Sequence, residues 1–257
     1  MQPLEIHPVS GLPEIEKNCN LAEMLYEALR PLAPRQGDVL VITHKIISKA
    51  EGLVWDLAEV TPSETAKDLA ETGGKDPRLA EVILRCSEKV YSCARDIWIA
   101  VRKDGWICCN AGVDQSNSGG KDKAVLLPED CDRHARTLSE ILSQHLGFPL
   151  PVLICDTEGR ALRNGAIGVA VGSYGISPLR TYQGTTDRDG RVLLHTWEAI
   201  ADELASAATI VMGQGREGLP ATLVRGYEHS FEPVGSEALK RSEENCIFKP
   251  EGTLYIS

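Results

Sequence analysis

The spacing of a zinc site is absent from this chain. Its 8 cysteines and 6 histidines form no C-x-x-C pair and no H-x-x-x-H, and the adjacent Cys108–Cys109 is poor geometry for one shared metal. The cysteines at 19, 86, 93, 108, 109, 131, 155 and 246 read as small buried hydrophobes in a reducing compartment. No serine sits in a G-x-S-x-G context, so the signature of a hydrolase nucleophile is missing. The P-loop is missing too, because Lys75 and Lys121 are each followed by Asp rather than Ser or Thr. No apolar stretch approaches the ~18 residues of a membrane span. The opening Met1-Gln-Pro-Leu-Glu-Ile-His7 lacks the basic start and apolar core of a secretory signal. A cytoplasmic protein with no membrane association is expected. Basic charge is in deficit, with 27 Lys and Arg against 37 Asp and Glu. The net charge of -10 argues against a general nucleic-acid binder, but bound cations can invert local charge, so phosphate ligands stay open.

What is present looks globular. The 257 residues, 42% hydrophobic and 25% charged, suit one large domain or two modest ones. A chain this long buries enough surface to fold without disulfides. We read the whole of 1–257 as one functional domain, with a lobe boundary near 149–151 where Pro149 and Pro151 interrupt the chain. Leu4–His7 reads as a short strand before the loop Pro8–Pro13. Asn20 is a helix N-cap for Leu21–Leu29, which stops at the Pro31 and Pro34 region. Asp38–Thr43 is a β-branched apolar run and reads as a buried strand. Helices are expected from Pro62-Ser-Glu-Thr65 onward and from Asp76-Pro77 to about Leu84.

Ile97–Val101 and Trp106–Cys109 flank Arg102-Lys-Asp-Gly105, a hairpin with an Asp-Gly turn. A Gly/Ser/Asn-rich loop spans Asn110–Lys123, followed by a helix over Asp132–Leu146. Val152–Cys155 reads as a short strand, and Ala166–Val171 is small and apolar. A strand at Val192–Leu194, a helix over Trp197–Ala208 and a strand at Ala221–Val224 complete the pattern. Antiparallel hairpins mixed with helices predict an α+β fold rather than a doubly wound sheet. Gly-Gly-Lys-Asp occurs at 73–76 and 119–122, but its flanks differ and no internal repeat follows.

Two carboxylates have a setting that suits chemistry. Asp156 follows the strand Val152–Cys155, and Asp114 lies just past Trp106–Cys109. Carboxylates at strand ends are rigid mounts for a hard cation, and Thr157 adds a hydroxyl oxygen suited to Mg²⁺ or Mn²⁺. The alternative is that both aspartates cap turns. Gly213-Gln-Gly-Arg-Glu-Gly218 matches G-x-G-x-x-G but follows a helix and precedes a strand, so the dinucleotide reading fails. Such a loop either forms a nest of backbone N–H groups for phosphate or is a plain connection with a glycine C-cap. Lys49, just beyond an apolar run, is either a point charge for phosphate or a solvated side chain.

Five segments, in order, carry a resemblance. They are His7-Pro-Val-Ser-Gly-Leu-Pro13, Ile47-Ser-Lys-Ala-Glu-Gly52, Asn110-Ala-Gly-Val-Asp-Gln-Ser-Asn117, Cys155-Asp-Thr-Glu-Gly-Arg160, and Met212-Gly-Gln-Gly-Arg-Glu-Gly-Leu-Pro220 leading into Val224-Arg-Gly226. Together they resemble the coenzyme F420-0:γ-glutamyl ligase family over nearly the whole chain. The resemblance implies a two-lobed α+β fold with antiparallel sheets and packed helices, forming an intertwined homodimer. It implies GTP-dependent addition of L-glutamate to the deazaflavin precursor coenzyme F420-0, and further γ-linked glutamates, through an acyl phosphate. Two divalent cations, Mg²⁺ or Mn²⁺, would assist, with K⁺ as an additional ion.

Carried over by position, Asp114 and Asp156 would bind one cation, with Thr157 and Gln214 near the second. GTP would contact Leu12, Pro13, Glu14, Ile15, Lys49, Asn117 and the loop Gly213, Gln214, Gly215, Arg216, Glu217, Gly218. Two departures accompany the match. Gln214 is neutral where a glutamate is also found, and His44-Lys45 stand where small hydroxyl residues also occur. The other classes that the same aspartates allow are a metal-dependent phosphohydrolase acting on a nucleotide or phosphoester, and a non-catalytic nucleotide-binding regulator.

Overall fold

Hydrophobic alternation and helix caps set the elements, and they are described here from a computed structural model covering residues 3–94, 97–160 and 163–241. The chain opens with β1 (Glu5–Pro8), α1 (Leu21–Leu29), β2 (Val39–Thr43), α2 (His44–Ala50) and β3 (Val54–Asp56). Next come α3 (Glu64–Gly73), α4 (Pro77–Cys86), β4 (Ser87–Ala94), β5 (Ile97–Arg102), β6 (Ile107–Cys109), β7 (Val113–Asp114) and β8 (Lys123–Leu126). The last third holds α5 (Cys131–Leu146), β9 (Val152–Arg160), β10 (Arg163–Tyr174), β11 (Arg180–Thr181), β12 (Trp197–Glu198), α6 (Ile200–Met212) and β13 (Ala221–Arg225). The result is a mixed α+β fold with several antiparallel sheets. Among the described residues no helix is long and apolar enough to cross a membrane.

The chain forms two compact units, and each is discontinuous. Among the described residues, the first unit comprises 3–14, 20–43 and 131–239; the second comprises 15–19, 44–130 and 240–241. Pro149 and Pro151 lie within the first, at the entry to β9.

The first unit is built on a five-stranded sheet of order β1-β13-β2-β9-β10. Only β2 and β9 pair in parallel, from Leu40 opposite Val152 to Thr43 opposite Cys155. β2 is central, and Val39, Leu40, Val41 and Ile42 are all fully buried, as expected of a strand covered on both faces. Strand alternation splits these residues between two layers. Val39, Val41, Leu153, Cys155, Ala170 and Val224 pack on α6 through Leu204, Ala205 and Ala208. α5 covers β9 and β10, and α1 packs on α5. Asn20 caps α1 through its side-chain oxygen, which accepts the Glu23 N–H at 3.3 Å. Leu21, Leu25 and Leu29, one turn apart, form its buried stripe.

Two glycines in β10 allow the helices to approach. A Cβ on Gly168 would sit 2.6 Å from the Ala205 carbonyl oxygen of α6, and one on Gly172 would sit 2.6 Å from Cys131 Cβ of α5. The register shifts between Ala170 and Gly172. This bulge turns Gly172 to the face opposite Ala170, so one strand serves both helices.

In the second unit, α3 and α4 cover two three-stranded sheets, β3-β8-β7 and β4-β5-β6. Its core joins Leu57, Leu79, Val82, Ile83, Trp98, Ala100 and Val113. The Trp98 indole fits because Gly73, at the end of α3, has no side chain to meet it.

Several expectations need correction. Val192–Leu194 is not a strand; Val192 makes a single bridge to Thr186 in an exposed stretch. Trp197 is not helical, because pairing of Thr181 with Trp197 and Arg180 with Glu198 holds it extended, and α6 starts at Ile200. β9 does not stop at Cys155, since β10 pairs with it as far as Arg160. The apolar run preceding Lys49 is α2, with Ile46 and Ile47 buried on its inner side. Of the cysteines read as buried, Cys131 and Cys155 are, while Cys19, Cys86, Cys108 and Cys109 are half-buried. The side chain of Cys93 and all of Cys246 lie outside the described residues.

Candidate functional site

Asp114 owes its position to a backbone reversal. Asn110, Ala111 and Gly112 all take positive φ, at 53°, 52° and 69°. Ala111 is fully buried, and a left-handed alanine costs about 1–3 kcal/mol unless its surroundings impose it. Here they do. The buried Arg102 guanidinium donates to the Ala111 carbonyl at 3.0 Å and to the Pro128 carbonyl at 3.0 Å, while Asp104 neutralises it at 2.9 Å. The reversal sends the chain into β7, where Asp114 pairs with Val125.

The Asp114 carboxylate is engaged on both oxygens. Oδ1 accepts the Ser116 N–H at 2.7 Å, and Oδ2 accepts the Ser116 hydroxyl at 2.8 Å. Lys45 Nζ lies 2.6 Å from Oδ2 and donates to Ser116 Oγ at 2.7 Å. Burial works to raise the Asp114 pKa, but attraction and hydrogen bonding from Lys45 and Ser116 outweigh it and hold the carboxyl below its usual range. Lys49 lies one turn beyond Lys45 on the same face of α2.

In the first unit, β9 carries Asp156, Thr157 and Glu158 past the buried Cys155. Asp156 Oδ1 accepts the Thr157 N–H at 2.7 Å. The Thr157 hydroxyl donates to Gln214 Oε1 at 3.1 Å, so the sheet and the end of α6 meet at these two side chains. Glu158 is crowded: burial first, then the charges of Asp156 and Asp202, push its carboxyl up to about 7. Burial also raises Asp202, although the Ala170 N–H donates to it at 2.9 Å. The Cys155 thiol is pushed up to about 12 by burial and by Asp156, so it is no nucleophile at neutral pH.

The glycine loop opens at Gly213, the C-cap of α6, with φ 73°. The Gly215 N–H donates to the Glu217 carboxylate at 2.7 Å. An anion therefore sits where phosphate was expected, supplied by the loop itself. Leu12, Pro13 and Glu14 occupy an irregular segment of the first unit, and Ile15 begins the second. Asn117 is exposed in the loop after Asp114, with φ 54°.

The structure thus joins Thr157 with Gln214 in one unit and places Asp114, Lys49 and Asn117 in the other. Sequence reasoning missed Lys45, Ser116, Glu158 and Asp202 as neighbours of the expected residues. Helical spacing to Lys49 would have pointed to Lys45, and strand spacing to Asp156 would have pointed to Glu158.

Oxygen is the only donor type at these positions, which suits a hard divalent cation. Two further observations fit one. The Lys45 ammonium already occupies a cation position on Asp114, and the carboxylates at 156, 158 and 202 crowd one another. Among the described residues, no three His, Cys, Asp or Glu side chains are grouped to hold a metal by themselves. Any cation here relies on neutral oxygens as well. A separate cavity of about 320 Å³, lined by Arg180, Ile200, Tyr227 and His229, contains none of these residues.

An acidic α+β protein with carboxylates on strands and a glycine loop after a helix is the class that fold and site define. Comparison with known proteins narrows it. The profile of the F420-0:Gamma-glutamyl ligase family matches residues 11–226. Among similar proteins, the "Coenzyme F420:L-glutamate ligase" of Methanopyrus kandleri is 42% identical over 250 residues, covering 96% of this chain and 98% of its own. That of Methanothermobacter thermautotrophicus is 40% identical, covering 94% and 97%. That of Natronomonas pharaonis is 41% identical, covering 96% and 95%. The chain belongs to the F420-0:Gamma-glutamyl ligase family.

Proposed function

We propose that this protein is a GTP-dependent ligase that joins L-glutamate to coenzyme F420-0 and extends the chain with further γ-linked glutamates. The observation that carries the reading is near-full-length identity of about 40% to ligases of that name. The five matching segments support it, because each falls at a residue of the candidate site. A carboxylate will not condense with an amine in water, since hydroxide is a poor leaving group. The precursor carboxylate therefore attacks the γ-phosphorus of GTP, the bond from that phosphorus to the bridging oxygen breaks, and GDP leaves. The glutamate amine then attacks the acyl carbon, and inorganic phosphate departs with the C–O electron pair.

Such reactions depend on positioning and charge stabilisation rather than a covalent nucleophile. Lys49, Asn117 and the segment Leu12–Ile15 hold the nucleotide. Displacing Glu217 from Gly215 frees the glycine loop N–H groups for phosphate. Asp114 of the second unit and Asp156, Thr157 and Gln214 of the first would supply oxygens to Mg²⁺ or Mn²⁺, which when bound would neutralise charge on the phosphate oxygens; K⁺ would be a further ion. The protein works in the cytoplasm as a homodimer. The stretch from the end of β11 into β12 supports the dimer, since Val192, Leu194 and Trp197 are 50%, 60% and 56% exposed on it.

The test is a component-omission assay with deazaflavin precursor, glutamate, GTP and Mn²⁺, following phosphate release and product mass. One glutamyl unit gained per GTP converted to GDP is expected, with Asp156→Asn losing both. Rapid GTP hydrolysis without precursor, and no gain in mass, would instead identify a phosphohydrolase.

A further inference from the structure

Asp114 already carries three donors on its two carboxylate oxygens. Its Oδ2 carries two donors, the Lys45 ammonium at 2.6 Å and the Ser116 hydroxyl at 2.8 Å. Its Oδ1 is tied to the Ser116 N–H at 2.7 Å. Lys45 is anchored in turn by Ser116, through Oγ at 2.7 Å and the carbonyl at 3.3 Å. The lysine side chain is 19% exposed and the aspartate 41%, so the pair is half-buried and the lysine end is the more enclosed. Its helix is fixed from behind by the buried Ile46, Ile47 and Ser48.

We infer that Lys45 is a built-in counter-ion that competes with the divalent cation for Asp114. The inference rests on the reading of Asp114 as a metal ligand. An ammonium and a metal ion cannot share Oδ2, because two cations on one oxygen would repel at close range. Metal binding at Oδ2 therefore requires the Lys45–Asp114 pair to open. When it opens, the ammonium is released a turn away from Lys49, where an incoming phosphate finds two positive charges on one face of α2. Cation loading and anion loading are thereby coupled through one side chain, each favouring the other. Lys45 is a positioning residue in this scheme: it holds the Asp114 carboxylate in place while no metal is present.

The test uses nucleotide-free full-length protein and Mn²⁺ alone, with free Mn²⁺ read from its electron paramagnetic resonance signal. Lys45→Met removes the competitor while keeping the length of the side chain, so Mn²⁺ affinity is expected to rise at least tenfold. Lys45→Arg keeps a cation and is expected to stay near wild type. Asp114→Asn is expected to lose the site whether or not Lys45 is present. Thermal melts of each variant establish folding. If Asp114→Asn binds Mn²⁺ like wild type, the metal reading of Asp114 fails. If Asp114→Asn loses the site but Lys45→Met binds no more tightly than wild type, the competition is overturned and the metal reading stands.

Discussion

Gly168 offers the sharpest test of how the sheet carries the site. It pairs with Thr157 in the β9–β10 ladder and lies under α6. A methyl group at 168 would meet the Ala205 carbonyl oxygen at 2.6 Å, Thr209 Cγ2 at 2.6 Å and Thr209 Oγ1 at 2.7 Å. Ordinary contact begins at 3.4 Å, so α6 must retreat by about 0.8 Å. The backbone oxygen has no rotamer with which to escape. Overpacking of this kind costs about 1–3 kcal/mol, and removing glycine's freedom in the unfolded chain offsets about 0.4–1 kcal/mol. A net loss of about 1–2 kcal/mol lowers the melting temperature by roughly 2–8 °C for a chain of this size.

Thr209 also accepts the Gly213 N–H at 3.0 Å, so a displaced helix end should part Gln214 from Thr157 and slow turnover. Circular dichroism melts of Gly168→Ala and Gly168→Val, with the larger side chain costing more, measure the first effect. Gly120→Ala is the control, since its nearest new contact is a lysine side chain at 3.5 Å; it should change stability by under about 0.5 kcal/mol. If both Gly168 variants melt at or above the wild-type temperature, the close approach of α6 is wrong.

Two other outcomes are expected. Asp38 is 2% exposed and binds Arg225 at 2.7 Å, so Asp38→Ala takes the carboxylate from a half-buried guanidinium and should cost about 1–3 kcal/mol in a denaturant melt; an unchanged midpoint would dismiss the pair. Glu81 accepts from the Ser63 hydroxyl and N–H at 2.7 and 3.0 Å, and these bonds, with Arg85, hold its pKa below the usual value despite burial. Its contribution is therefore present above the unfolded carboxylate range and lost as pH falls through the lower folded value. Glu81→Gln should be less stable than wild type at pH 7 by about 1 kcal/mol, with the gap closing in acid. A gap that persists at pH 2 would refute it.

Local signals were legible wherever they were strong. Asn20 marked the start of α1 and the Asp-Gly turn marked β5–β6, because capping and turn chemistry act within a few residues. The apolar run of β2 announced a strand buried on both faces. α2 was hidden because it is only seven residues long, follows β2 directly, and carries the β-branched Ile46 and Ile47 on its inner side. β9 was read too short because Asp156, Thr157 and Glu158 are polar, and only the pairing with β10 keeps them extended. The candidate ligands were legible by resemblance, one by one. Their local partners were not, since the approach of Lys45 to Asp114 spans a distance along the chain that no periodicity encodes.

The sheet order has a consequence for how the protein is made. β1 joins the sheet only through β13, with Glu5 opposite Arg225. The ribosome must therefore add about 220 residues after the first strand before its partner exists, roughly 10–40 s at about 5–20 residues per second. Until then β1 has nowhere to go, and the pairing of β2 with β9 must wait for residues 44–130 to pass. Those intervening residues contain hairpins and helices whose partners lie within 44–130, so they can pair among themselves while the five-stranded sheet is still open. The sheet that carries Asp156 closes only once β13 has been made.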